Sequence, residues 1–334
     1  MKLSGYARFG AQYNEGVAAT GDATELAAAR AAVTTAAAAN TTAAAAVTAN
    51  TADGSLTAAD LATAATAAST LARAQAALDA IDGTADDTNV VSRVRFQLDA
   101  STTTDAGVGL NVRQRIQSEE NGTNDTNGAR FGLTYGGIAV NVGNINGVIE
   151  STPNLYMRTN SAGVGLEGNG FHSLVLSSWT AYSSGGAGAT NGVEVIYSAN
   201  GLRLHAHDTD GATAYGASYA MGDITVGAAY EDFDAGGSAT LLTAGMNIGA
   251  GWVAVSHGIQ ESAAGVDTDK TAIKGGYDVA PGMNVYGFVA TADAGDASGV
   301  GMSMDLGGGA SFDAGYTNTA ANRGVLSAGV FFTF

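Results

Sequence analysis

Cysteine is absent from this 334-residue chain, so no disulfide holds it together. That absence fits many compartments, an oxidising periplasm or cell surface among them. Basic residues are scarce: 14 Lys and Arg stand against 31 Asp and Glu, for a formal net charge of −17. Such an acidic balance argues against a nucleic-acid partner. Long apolar runs are missing too. No stretch approaches the roughly 18 apolar residues that a membrane helix needs. Mean hydropathy is only +0.09, and much of the 46% hydrophobic content is Ala. A protein that crosses a bilayer with strands stays open, because alternating strands leave little trace in window hydropathy. The four His and the lack of any Gly-x-Ser-x-Gly element argue against an enzyme. His257 beside Ser256 is only a sequence neighbour. No export leader is visible. Met1-Lys2 runs straight into a strand pattern, so an exported protein would carry this sequence as its mature chain.

What the chain does have is alternation. In Arg323–Phe334 one face carries Leu326, Ala328, Val330, Phe332 and Phe334, and the other Arg323, Ser327, Gly329 and Thr333. This pattern makes a strand with one apolar side. On a soluble sheet edge such a strand is an aggregation site. A closed barrel in lipid removes the edge and covers the apolar face. Residues 1–14 repeat the pattern, with Leu3, Ala7, Phe9, Ala11 and Tyr13 opposite Lys2, Ser4, Arg8 and Gln12.

Residues 15–88 break with the rest: they are Ala/Thr-rich and contain no aromatic. Asp22 with Glu25, and Thr57 with Asp60, have the spacing of capping boxes. They predict helices near 23–48 and 58–81, joined by a turn around Thr51-Ala52-Asp53-Gly54 and closed by Gly83. Leu26 and Val33, and Leu71 and Leu78, sit seven apart in a seam otherwise filled by Ala, which suits a close helical hairpin. A disordered low-complexity loop is the alternative.

From residue 89 the strand signal continues to the end of the chain. Val94, Phe96 and Leu98 oppose Arg93, Arg95, Gln97 and Asp99. Leu110, Val112 and Ile116 oppose Asn111, Arg113, Arg115 and Gln117, and Phe131, Leu133 and Tyr135 oppose Arg130 and Thr134. Counting residues 1–14, sixteen strands are predicted, making an all-β antiparallel transmembrane barrel. Tight turns such as Asn200-Gly201 alternate with longer polar connections. Short turns at one rim and long loops at the other are what outer-membrane barrels show. Tyr135, Tyr197, Tyr219, Tyr277 and Phe334 fall near the short-turn rim, and Tyr13, Tyr230 and Tyr316 near the other. They form two aromatic belts.

Ser4-Gly5-Tyr6-Ala7-Arg8-Phe9-Gly10, Ser92-Arg93-Val94-Arg95, Val140-Asn141-Val142-Gly143-Asn144 and the terminal Phe334, in that order, resemble the general-diffusion porins of alphaproteobacteria. The resemblance covers essentially everything except 15–88, an insertion that departs from the family pattern. It implies one barrel over 1–334, integral to the outer membrane, with external loops at 15–88 and 144–190. The latter, third loop would fold inward as the constriction. It further implies a homotrimer, outer-membrane lipid and lipopolysaccharide as surroundings, and small hydrophilic solutes and ions as cargo.

By strand parity Arg8, Arg93, Arg95, Arg113, Arg115, Arg130, Arg203, Lys270 and Lys274 project inward. An Arg facing lipid at mid-depth would cost about 2–4 kcal/mol. A basic wall is therefore expected to face the inserted loop, whose carboxylates are Glu150 and Glu167. Weak anion preference at the constriction follows, opposed by acidic external loops. No cofactor is required. Glu119, Glu120 and Asp125 offer oxygen ligands for Ca²⁺, though solvated loop charge explains them as well. His205-Ala206-His207 has a zinc spacing with no third ligand. Two other functions compete with a diffusion pore. One is a surface structural or adhesive protein that displays the hairpin. The other is a substrate-specific channel, selecting through the hairpin or through Phe171, Trp179 and Tyr182.

Overall fold

A computed structural model of the chain describes residues 1–16, 19–83, 85–120, 124–169, 181–185, 192–293, 295–318 and 323–334. Two compact units result, 15–87 and the remainder of the chain.

The larger unit is a closed antiparallel sheet. Its strands are β1 (Lys2–Asn14), β2 (Asp87–Thr103), β3 (Gly109–Glu119), β4 (Asn124–Thr126), β5 (Arg130–Tyr135) and β6 (Ile138–Gly143). These are followed by β7 (Gly192–Ala199), β8 (Leu202–Thr209), β9 (Ala212–Met221), β10 (Ile224–Phe233), β11 (Gly237–Ile248) and β12 (Gly251–Ser262). The last are β13 (Asp267–Ala280), β14 (Met283–Ala292), β15 (Ala297–Gly307), β16 (Ala310–Asn318) and β17 (Gly324–Thr333). The three-residue β4 pairs beside β3 at the rim, and β3 continues its ladder with β5. The other sixteen are the expected wall, each paired to its sequence neighbour. The ring closes where β1 pairs with β17, from Tyr6↔Thr333 to Asn14↔Val325, and Gly5 and Phe334 exchange backbone hydrogen bonds of 2.9 and 3.1 Å. Closure leaves no unpaired edge, which a barrel in lipid requires.

The strand faces read as apolar are the ones on the outside. Phe9, Phe96, Leu110, Phe131, Leu133 and Leu326 are all exposed, as are Tyr135, Tyr197, Tyr219, Tyr277, Tyr316 and Phe334. An apolar surface on this scale, wrapped around a barrel, is a surface for lipid. At the short-turn rim Asn200 and Gly201 both hold positive φ, 48° and 83°, the geometry that matches a tight hairpin to strand twist.

The inner face is less polar than the residues singled out on it suggest. Phe331 and Val325 share the inward side of β17 with Ser327, and Phe331 stacks on Tyr6 with ring centroids 5.2 Å apart. The lumen therefore has apolar stretches as well as the expected polar ones.

The smaller unit, the connection between β1 and β2, is a helical hairpin of α1 (Ala23–Asp53) and α2 (Ala58–Asp82). Both capping boxes form, at Asp22/Glu25 and Thr57/Asp60. α1 runs five residues past its expected end at 48. No Gly or Pro intervenes before Gly54, whose left-handed φ of 75° closes the helix. Within the hairpin Ala36 and Leu78 are buried, and an Arg30–Asp82 ion pair joins the two helices.

Candidate functional site

The long connection after β6 folds into the barrel. Its described residues, 144–169 and 181–185, run along the inner wall from β6 round to β1. Three features of the sequence put them there.

The first is apolar side chains at irregular spacing. Val148, Ile149 and Leu155 join a cluster with Ala214, Ala229 and Leu241 of the wall. Met157 and Val164 join Ala272, Tyr286 and Phe288, and Leu166 joins Val91 and Phe331. Inward alanines thus give the loop an apolar seat, at roughly 25 cal/mol per Å² of surface removed from water.

The second is missing wall side chains. A Cβ on Gly315 would meet Val164 Cγ1 at 2.5 Å, and one on Gly216 would meet Val148 Cγ1 at 2.8 Å. The loop lies where the wall has no side chain to hold it off.

The third is polar anchoring along the loop's length. Val148 N–H donates to His207 Nδ1 (3.0 Å), and Asn146 N–H to Glu194 (3.2 Å). Tyr182 N–H donates to Glu231 (2.7 Å), and Leu166 N–H to Ser327 Oγ (3.0 Å). Lys274 Nζ donates to Leu155 O and to Ser256 Oγ, both at 2.6 Å. Glu194 also takes His205 Nε2 at 2.9 Å, so both imidazoles of the His-Ala-His strand are in use. Ser256 Oγ donates to Asn154 O, and His257 Nδ1 lies 2.9 Å from Thr271 Oγ1, so the adjacent Ser256 and His257 do not form a nucleophile–base pair.

With the loop seated along the β7–β17 wall, the described residues leave one cavity of about 730 Å³ beside β13–β17 and another against β1, β2 and β3. That wall carries the arginines. Arg8 donates to Leu166 O (3.2 Å) and ion-pairs with Glu167 of the loop at 2.6 Å. Across the β2–β3 ladder Arg93 faces Glu119 at 2.7 Å, and Arg113 Nε reaches Asp99 at 2.9 Å. Arg95 Nε donates to Gln117 Oε1 (2.7 Å), with its guanidinium 5.5 Å from the Tyr6 ring centroid. Arg115 donates to Asn144 Oδ1 (2.8 Å) and Ser184 O (2.6 Å). Glu150 accepts both the N–H and the hydroxyl of Ser184, at 2.7 and 3.1 Å. Between wall and loop lies a cavity of about 510 Å³, lined by Arg8, Arg93, Arg95 and Arg115 on one side and by Glu150, Tyr156 and Tyr182 on the other.

The remaining expected cations are placed differently. Lys274 is 2% exposed beneath the loop, an anchor rather than open wall. Lys270 is buried as well. Arg203 lies with His205 under Ser151–Pro153. Arg130 takes no hydrogen bond on Nε among the described residues. The acidic group offered to Ca²⁺ is engaged elsewhere in part. Glu119 binds Arg93 and Gln117, Glu120 accepts Ser92 N–H at 2.8 Å, and the side chain of Asp125 lies outside the described residues. Among the described residues no group of three or more His, Asp or Glu could hold a metal. Phe171 and Trp179 also lie outside them. Sequence reasoning missed Glu194, Glu231, Ser327 and Tyr6. Polar residues at inward parity on strands otherwise rich in Ala and Gly were the available signal.

No family model matches the chain. A porin of Fuscovulum blasticum is 32% identical over 129 residues, which are 36% of this chain and 43% of that porin's length. Three mutants of the porin of Rhodopseudomonas blastica superpose at TM-score 0.69 with 22% identity, covering 100% of this chain and 99% of theirs. The chain has the porin fold. Within the porin fold, the inward loop after β6 faces the arginine-bearing wall across the cavity of about 510 Å³, and the first long connection carries the helical hairpin of α1 and α2.

Proposed function

We propose that this porin barrel is an outer-membrane pore for passive diffusion of ions and small hydrophilic solutes. The observation that carries the reading is the division of the lumen. One stretch of wall is covered by the loop through buried apolar contacts, and another, lined by guanidinium groups, bounds a cavity of about 510 Å³. Clustered cations are tolerated where water and counter-charges surround them. Nothing in this reading asks for a catalytic group. The apolar outer face supports residence in the outer membrane, with lipid and lipopolysaccharide around it, and the family resemblance supports a homotrimer.

Reconstitution into planar bilayers tests the reading. Stable stepwise conductance is expected, with flux of uncharged sugars into liposomes linear in concentration. Conductance no different from protein-free bilayers would overturn it.

A further inference from the structure

The β2–β3 ladder has an internal order that its net charge hides. Its rungs are Arg93↔Glu119, Arg95↔Gln117, Gln97↔Arg115 and Asp99↔Arg113. The outer two are ion pairs at 2.7 and 2.9 Å. The inner two set an arginine against a glutamine, which carries no charge: Gln117 accepts from Arg95, while Arg115 donates to Asn144 and Ser184 rather than to Gln97. The glutamine amides turn toward the outer carboxylates: Gln97 Nε2 donates to Asp99 at 2.7 Å, and Gln117 Nε2 to Glu119. The outer rungs are thereby neutral, each with its carboxylate shared between an arginine and a glutamine amide, while two positive charges remain at the middle.

Arg95 and Arg115 are diagonal neighbours on adjacent strands, within mutual reach for side chains of this length. Among the described residues no carboxylate lies within ion-pair distance of either. Arg95 uses only Nε toward Gln117, which leaves both terminal nitrogens without a protein acceptor among the described residues. The Tyr6 ring, itself stacked on Phe331, orients its guanidinium. Arg115 uses Nη2 on two neutral oxygens. The nearest loop carboxylate, Glu150, has both oxygens taken by Ser184. Arg95 and Arg115 line both the 510 Å³ cavity and a neighbouring one of about 550 Å³, so a solute moving between the two spaces meets them.

We infer that Arg95 and Arg115 form a transient binding site for small carboxylates, which a short dicarboxylate bridges with one carboxylate on each guanidinium. The inference rests on the pore reading and adds a solute class to it. Planar guanidinium groups with free terminal nitrogens match carboxylate geometry. Two such groups without counter-charge, in a narrow lumen, retain an anion longer than a neutral solute of equal length.

The test is single-channel recording of the full-length protein with succinate added to one side and butane-1,4-diol as the neutral control. Succinate is expected to reduce the ion current saturably, and the diol to leave it unchanged. Arg95→Gln should weaken the succinate effect about tenfold, the worth of one charge-assisted hydrogen bond. Gln117→Glu keeps every arginine and gives Arg95 the carboxylate partner that Arg93 and Arg113 already have. It should weaken the effect to a similar degree while the channel still opens. A native channel with no saturable succinate effect, or an effect that survives Gln117→Glu unchanged, would overturn the site and leave the pore standing. A native protein that never conducts would overturn the pore and the site together.

Discussion

Lys274 shows how one position decides between two roles for the same side chain. Its strand parity is that of a lumen cation, yet it sits under the inward loop with Nζ on Leu155 O and Ser256 Oγ. A buried ammonium is tolerable only where such acceptors meet it. Lys274→Met keeps the stem and strands Leu155 O, while Ser256 Oγ keeps its bond to Asn154 O, at a cost of about 1–3 kcal/mol for a polar group left buried and unpaired. We expect a lower denaturation midpoint and noisier open-channel current, because the loop loses a tie near its middle. An unchanged midpoint together with unchanged noise would show that the tie carries no weight. Arg95 is the opposite case: it gained importance from what its rung partner lacks. In the sequence it is one of several equivalent inward arginines, and only pairing register separates it from Arg93.

At the scale of elements, the helices were the most legible part of the chain. Asp22/Glu25 and Thr57/Asp60 are spaced so that side chain and backbone satisfy each other locally, and both boxes form. The Thr57 hydroxyl, and then its backbone N–H, hold the Asp60 carboxyl below the usual carboxylate range. A carboxyl whose pKa is lowered by folding stabilises above its unfolded value and loses that contribution as pH falls through the folded one. Hydrogen exchange on the full-length protein should therefore show the first-turn amides of α2 losing protection below the ordinary Asp range. Thr57→Ala should remove much of that protection already at neutral pH. Exchange rates indifferent to both changes would mean the box does not hold this helix end. The inward loop behaves differently. Its position could be anticipated from the order of the connections, but its path could not. That path depends on wall glycines such as Gly315 and Gly216, which make room for Val164 and Val148, and on carboxylates and a serine contributed by strands far away in sequence.

For the whole molecule, the question is whether the hairpin takes part in conduction. The barrel closes through β1 and β17 and encloses its own loop, and the cavity beside the arginines is lined by barrel and loop residues. A chain lacking residues 17–87 should fold to a barrel that conducts as well as the intact protein or better, as read by single-channel conductance beside far-ultraviolet circular dichroism. Loss of conductance with β-sheet content intact would move the function toward the insertion.

Alternation along each strand was enough to determine the barrel, its strand number and its lipid-facing side, and capping-box spacing was enough for its hairpin insertion. Each of these follows from periodicity or from contacts a few residues apart, and such signals survive in a linear sequence. The tertiary structure alone decided which inward cations line open space, which lie under the loop, and which have a counter-charge. Those outcomes depend on the partner a side chain meets across strands or from a loop more than a hundred residues away, and no local pattern encodes that meeting.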